Sequence, residues 1–300
     1  MSILVNKDTK VIVQGITGTQ GKLHTELMLK YGTKILAGTN PKKAGTTVFD
    51  VPVFADVKTA KQETGANASI IFVPPAGAAA SIIEAIDAGL DLVVCITENI
   101  PALDMIRVHD RLQGSHTRLL GPNCPGIISV DECKLGIMPQ DIHLKGHIGI
   151  VSRSGSLTYE TIKQLSNKGI GQTTTVGIGG DPIKGTDFLD VLKAFNEDDE
   201  TYAVVLIGEI GSQDEQTACA WAKEHMKKPI VGFIGGVSAP PGKRMGHAGA
   251  VINGKGGSAA DKIAALEELG VRVAPISDRI GDTLIEVLKE HDLLQKCIVK

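Results

Sequence analysis

The stretch VIVQGITGTQGKLHTELMLKYG, residues 11–32, decides the fold. A β-branched run at Val11–Val13 meets the turn Gly15-Ile16-Thr17-Gly18-Thr19-Gln20-Gly21, and a helical pattern from Lys22 to Tyr31 closes on Gly32. Strand, glycine turn and helix in this order open a Rossmann-like unit, in which backbone N–H groups at the helix start meet a phosphate. The usual G-x-G-x-x-G fingerprint needs glycine where this chain has Ile16, so the turn alone does not name a ligand.

The next strand, Lys34–Gly38, ends in Thr39-Asn40-Pro41-Lys42-Lys43. An NAD site would require an acid there for the ribose hydroxyls; two lysines suit a phosphate, either that of NADP or the 3′-phosphate of coenzyme A. An exposed basic loop kept for solubility accounts for the same residues. Short β runs then alternate with helices: a strand at Ser69–Val73, a helix at Ala78–Ala88, a strand at Leu90–Ile96, a helix at Ala102–Gln113 and a strand at Arg118–Leu120. The turn Thr97-Glu98-Asn99-Ile100-Pro101 falls at the same sheet edge as Gly18, where it either touches the same ligand or only starts a helix. The stretch from Gly121 to Lys145 reads as irregular. Cys124, flanked by prolines with no histidine beside it, reads as structural.

A second α/β unit opens with Ile148–Val151 and Ser152-Arg153-Ser154-Gly155-Ser156 before a helix, which makes Ser154 and Gly155 a phosphate seat or an ordinary cap. Further strands fall at Thr173–Val176, Ala203–Ile207 and Ile230–Ile234, with helices around Phe188, Trp221 and Leu266. The expected organisation is residues 1–122 as one domain, 123–146 as a crossover and 147–300 as a doubly wound second domain. Gly235–Gly257, GGVSAPPGKRMGHAGAVINGKGG, sets one histidine, His247, among eight glycines and two prolines, beyond the carboxyl end of a strand. That loop is too long and glycine-rich for an ordinary connector, and it presents the imidazole as a reactive group. Glu209, at the end of another strand, falls at the same edge and is placed to accept one ring N–H while the other nitrogen acts as nucleophile.

Composition narrows the alternatives. A net charge of −3, with one tryptophan, three tyrosines and six phenylalanines, argues against nucleic-acid or acidic-membrane binding. Five scattered cysteines without a CxxC pair encode neither a disulfide framework nor a zinc site, so no metal ligand set is expected. No signal, transit or membrane-spanning pattern is evident, and the chain reads as cytoplasmic.

Taken together, GITGTQG (15–21), NPKK (40–43), ITENIP (96–101), GPNCPG (121–126), GIVSRSGSLTYE (149–160), VGIGGDP (176–182), GEIG (208–211) and GKRMGHAGA (242–250) closely resemble the α subunits of succinyl-CoA synthetases (succinate–CoA ligases). The resemblance spans both domains. It implies a Rossmann-like CoA-binding domain followed by a flavodoxin-like ligase domain, with the nucleotide and its Mg²⁺ on a separate β subunit in an αβ or α2β2 assembly. No GxxxxGK[ST] loop occurs in this chain. Carried over residue by residue, the resemblance implies CoA contacts at Thr17, Gly18, Thr19, Gln20, Lys43, Ile96, Thr97 and Glu98, and a dicarboxylate contact at Tyr159. It makes His247 the phosphorylated residue and Glu209 its partner. The substrates it implies are succinate or succinyl-CoA, CoA and phosphate. A malate–CoA ligase would use the same machinery. An NADP oxidoreductase would leave the His247 loop without a task, and a silent CoA-binding protein would have no need to keep it.

Overall fold

The computed structural model describes residues 2–252 and 256–299, so positions 253–255 of the glycine-rich segment lie outside the described residues. The chain divides into two compact units: Leu4–Met138 with Ile183–Thr186, and Pro139–Pro182 and Asp187–Lys300 with Met1–Ile3.

The first unit runs β1 (Lys10–Gln14), α1 (Thr19–Tyr31), β2 (Lys34–Thr39), β3 (Thr47–Val48), β4 (Val51–Phe54), α2 (Val57–Thr64), β5 (Ala68–Ile71), α3 (Pro75–Asp87), β6 (Leu92–Cys95), α4 (Ala102–Leu112), β7 (Arg118–Leu120), β8 (Gly126–Ser129) and β9 (Cys133–Gly136). Its open sheet has the order β3-β4-β2-β1-β5-β6-β7 and is parallel except at β3. The chain winds from β1 to β2 on one side and returns to β5 on the other, which leaves a switch point beyond the carboxyl ends of β1 and β5. Ile12, Ile71 and Val93 of the sheet bury against Ala78, Ile82 and Ile86 of α3 and Met105 and Val108 of α4. All four residues of β6 are buried, as its unbroken apolar run requires.

Two pieces of this unit differ from the sequence reading. The short strands β3 and β4 and helix α2 fill a span where no element is expected. Residues 126–136, read as irregular, form the antiparallel hairpin of β8 and β9. A Cβ at Gly126 would lie 2.1 Å from the Leu135 carbonyl oxygen and one at Gly136 would lie 2.2 Å from that of Pro125. The hairpin therefore depends on a close glycine pair rather than on apolar alternation, which is why period-2 reading misses it.

The second unit runs β10 (Lys145–Ser152), α5 (Gly155–Asn167), β11 (Gln172–Gly177), α6 (Phe188–Glu197), β12 (Ala203–Glu209), α7 (Asp214–His225), β13 (Ile230–Gly235), α8 (Ala259–Glu268), β14 (Arg272–Val273), α9 (Ile280–Glu290) and α10 (Leu294–Cys297). Its parallel strands follow the order β11-β10-β12-β13-β14, the flavodoxin-like winding. Here the switch point lies where β10 and β12 are neighbours. Ile148, Ile150, Val205, Ile207 and Val231 form its core with Ile162 and Leu165 of α5 and Leu284 and Leu288 of α9.

Candidate active site

At the first switch point, Gly15 has φ +82°, and a Cβ there would meet the Phe72 carbonyl carbon at 3.2 Å. Gly21 lets α1 pack against the turn, since a Cβ would come within 2.1 Å of the Gly15 oxygen. Ile16, the departure from the fingerprint, is fully buried, and a Cβ at Gly38 would lie 2.3 Å from its Cγ2. The glycine missing from the turn has thus moved to the neighbouring strand. Gly18, Thr19 and Gln20 are exposed at the start of α1 and Thr17 is partly so. Asn40 ties this turn to the next: its Nδ2 donates to Thr17 Oγ1 at 2.6 Å and its Oδ1 accepts from the Lys42 N–H at 2.9 Å. Lys42 and Lys43 are exposed beyond β2. Beyond β6, Thr97 Oγ1 donates to the Val73 carbonyl at 2.6 Å, with Ile96 half-buried and Glu98 exposed. Every residue expected to touch CoA therefore follows the carboxyl end of β1, β2 or β6 in one sheet. Asn40 acquires its bridging role only through the structure.

At the second switch point, β10 and β12 are in register with Ser152 opposite Ile207, so Ser154 and Glu209 both lie just past that level. Ser154 caps α5, its hydroxyl accepting from the Leu157 N–H at 3.4 Å, and Gly155 is the first helical residue. First-turn N–H groups have no carbonyl partner within the helix. Tyr159 is one turn further on, and a Cβ built at Gly155 would lie 3.9 Å from its hydroxyl.

His247 stands in a tight turn. Met245 N–H donates to the Ala250 carbonyl, Ala250 N–H to the His247 carbonyl, and Gly249 N–H to the Gly180 carbonyl at 3.1 Å. Gly246, just before it, has φ +82° with open space around its Cβ position, so backbone conformation is what requires glycine there. The imidazole lies against Gly180, where a Cβ would meet its Cγ at 2.2 Å. Nδ1 and Glu209 Oε2 are 2.8 Å apart. With Nδ1 donating to the carboxylate, Nε2 keeps the lone pair. The hydrogen bond to Glu209 raises the His247 pKa above the ordinary histidine value; burial and Arg153 oppose the shift, and the charges of Glu209 and Asp181 reinforce it.

Behind Glu209 runs a chain of buried charges. Arg153 Nε is 3.4 Å from Glu209 Oε1, and Arg153 Nη1 donates to Ser212 Oγ at 3.0 Å and lies 3.9 Å from Glu215 Oε1. Glu215 Oε2 pairs with Lys262 Nζ at 2.5 Å. Burial pulls the Lys262 ammonium below the usual lysine range, with Glu215 opposing. Arg153 stands in the SRSGS turn, but only its serine and glycine neighbours attract notice as sequence. A guanidinium directly after a buried strand was the available signal. The five cysteines are buried free thiols, and Cys124 Sγ donates to the Cys95 carbonyl at 3.3 Å. Among the described residues no cluster of three or more His, Cys, Asp or Glu side chains is placed to hold a metal ion, and no helix is long and apolar enough to cross a membrane.

Comparison with known proteins agrees with this division. A CoA-binding-domain family model matches residues 6–99 and a CoA-ligase family model matches residues 151–272. The α subunit of an ADP-forming succinate–CoA ligase from Staphylococcus aureus strain N315 is 60% identical over 298 residues, covering 99% of each chain. Its Staphylococcus epidermidis counterpart is 59% identical over the same length. Among solved structures, ATP citrate lyase from Methanothrix soehngenii, in complex with citrate and coenzyme A, superposes with a TM-score of 0.89 at 24% identity. A dinucleotide-forming acetyl-CoA synthetase from Ca. Korarchaeum cryptofilum gives 0.74 at 18%. These two cover 99% and 92% of this chain, which spans only 52% and 60% of theirs, and at such identities they speak for the fold. With relatives this similar along its whole length, the chain belongs to the succinate–CoA ligase α-subunit family.

Proposed function

We propose that this chain, with a β subunit, interconverts succinyl-CoA, phosphate and ADP or GDP with succinate, CoA and ATP or GTP, through a phosphohistidine at His247 in the tricarboxylic acid cycle. CoA binds the first unit at Thr17–Gln20, Lys43 and Ile96–Glu98, its 3′-phosphate near Lys43. Phosphate oxygen attacks the thioester carbonyl and expels the CoA thiolate, giving succinyl phosphate. His247 Nε2 then attacks phosphorus and releases succinate, and the phosphoryl group passes to the nucleoside diphosphate, restoring the free imidazole. Glu209 orients the ring and balances the imidazolium character that develops as Nε2 bonds to phosphorus. The α5 start at Ser154 and Gly155 offers N–H donors to the phosphoryl oxygens, and Tyr159 faces the dicarboxylate. The nucleotide, with Mg²⁺, belongs to the β subunit, and the assembly works in the cytoplasm.

The observation that carries this reading is the 2.8 Å contact between His247 Nδ1 and Glu209, which commits one ring nitrogen and leaves the other as nucleophile. Incubating the αβ complex with labelled ATP and Mg²⁺ should label this chain through a bond stable to alkali and lost in acid. His247→Asn should bind CoA normally, take no label and support no turnover. Full labelling of that variant would remove His247 as the carrier, and a panel of dicarboxylates with either nucleotide decides succinate against malate.

A further inference from the structure

Five ionisable side chains from five parts of the second unit stand in series: His247 on its loop, Glu209 on β12, Arg153 after β10, Glu215 on α7 and Lys262 on α8. The side chains of Arg153, Glu215 and Lys262 are at most 1% exposed. Their charges balance, two carboxylates against a guanidinium and an ammonium. A buried ionic chain is seldom more stable than an apolar cluster of equal volume, so stability alone does not account for it.

Two glycines make room for the chain. A Cβ at Gly249 would lie 2.7 Å from Arg153 Nη2, so the guanidinium packs on the backbone of the turn that carries His247. A Cβ at Gly208 would lie 2.5 Å from Glu215 Oε1, which also accepts the Glu209 N–H at 3.2 Å. Arg153 therefore touches the acid, the histidine's turn and the acid's support at once. At 1% exposure, with Ser212, Glu209 and Glu215 around it, it has no open face for a phosphoryl group.

We propose that Arg153 is a positioning residue: its guanidinium holds Oε1 of Glu209 so that Oε2 stays aimed at His247 Nδ1, and the Glu215–Lys262 pair fixes the guanidinium from behind. This rests on the reading of His247 as the phosphoryl carrier.

A positioning role and a plain charge effect differ in sign. The charged groups acting on His247 are Glu209 on β12, Arg153 after β10 and Asp181 in the loop after β11. If Arg153 were only a cation opposing the imidazolium, its removal would raise the His247 titration midpoint. If it acts through Glu209, its removal frees the carboxylate, and the midpoint falls.

The test is the titration of the His247 ring by nitrogen-15 NMR in the full chain, with wild type, Arg153→Met, Arg153→Lys, Glu209→Gln and the double variant Arg153→Met/Glu209→Gln. The Met variant should move the midpoint down, in the direction of Glu209→Gln, and slow labelling of the αβ complex about tenfold. Arg153→Lys, which keeps the charge but loses the fork, should recover part of both. In the Glu209→Gln background the Met substitution should add nothing, since its effect passes through the carboxylate. An upward shift in Arg153→Met, or an equal loss in both backgrounds, overturns the proposal. If Arg153→Met does not fold, the same cycle is run with Arg153→Lys, and a Lys effect equal in both backgrounds overturns it too. The NMR midpoint needs no turnover, so labelling that persists in His247→Asn would unseat the carrier while the response of the ring to Arg153 is still read.

Discussion

The two units meet the same architectural problem, a strand–turn–helix at a switch point, with opposite means. In the first, the turn Gly15–Gly21 is mostly backbone, no side chain caps α1, and the cations Lys42 and Lys43 are exposed. In the second, Ser154 caps α5, and behind the reactive imidazole lie Arg153, Glu215 and Lys262, almost wholly buried. The difference follows from the task. A unit that grips a ready-made phosphorylated ligand needs close backbone and accessible charge, whereas a unit whose own side chain reacts must hold that side chain in one tautomer and one direction. The first requirement is met by local spacing, the second by groups brought from far apart.

Removing a cation from each unit should break this symmetry most widely. Lys262→Met leaves the fully buried Glu215 with only Arg153 nearby, and we expect a loss of about 3–5 kcal/mol in urea unfolding. The neutral pair Glu215→Met/Lys262→Met should lose less, because no buried charge is stranded. Lys43→Glu, at an exposed position, should change stability by no more than about 0.5 kcal/mol while weakening CoA far more than dephospho-CoA. Equal unfolding losses for Lys262→Met and Lys43→Glu, or equal losses of the two ligands, would erase the contrast.

Two glycines sharpen it. Gly180→Ala would put a methyl 2.2 Å from the His247 ring and push the imidazole off its line to Glu209. Displacement on that scale should slow phosphorylation on the order of 100-fold, with CoA binding intact. Gly21→Ala would drive α1 away from the Gly15 carbonyl, 2.1 Å from the added methyl, and should do the reverse. CoA titration by calorimetry beside labelling kinetics separates the two, and a loss of both functions in both variants would contradict the division of labour.

How much of each unit was legible in the sequence follows from the same contrast. The glycine turn, the lysines after β2 and the polar turn after β6 could be read because each requirement lies within a few residues. Even the absent fingerprint glycine makes sense locally once Ile16 is seen packed over Gly38. His247 and Glu209 could be paired because both follow strands that end at one sheet edge. Arg153, Glu215 and Lys262 could not be joined, since charged residues on α7 and α8 look like solvent-facing positions until the helices are docked. The β8–β9 hairpin escaped for a related reason. Its close glycine contacts and its buried Lys134 defeat the alternation by which strands are recognised.

The smallest effect concerns two histidines with opposite signs. In the second unit, Glu209 raises the His247 pKa, so the protonated ring is favoured by folding. Its contribution is fully present below the unfolded value of about 6.5 and is lost as pH rises through the higher folded value. In the first unit, His24 is half-buried and stacked on Phe72 at 5.5 Å between ring centroids. Among the described residues its Nδ1 has no hydrogen-bond partner. Burial, with Lys134 adding to it, lowers the His24 pKa. Folding therefore favours neutral His24, and that contribution is present above about 6.5 and lost as pH falls through the lower folded value. Against wild type, His247→Gln should cost more stability near about pH 5.5 than near about pH 8.5, and His24→Gln should cost less at the acid end than at the alkaline end. The carboxylates common to all three proteins cancel in these differences, so thermal unfolding at the two pH values isolates each ring. A change of the same sign for both substitutions would mean that the two imidazoles do not differ in the way their surroundings require.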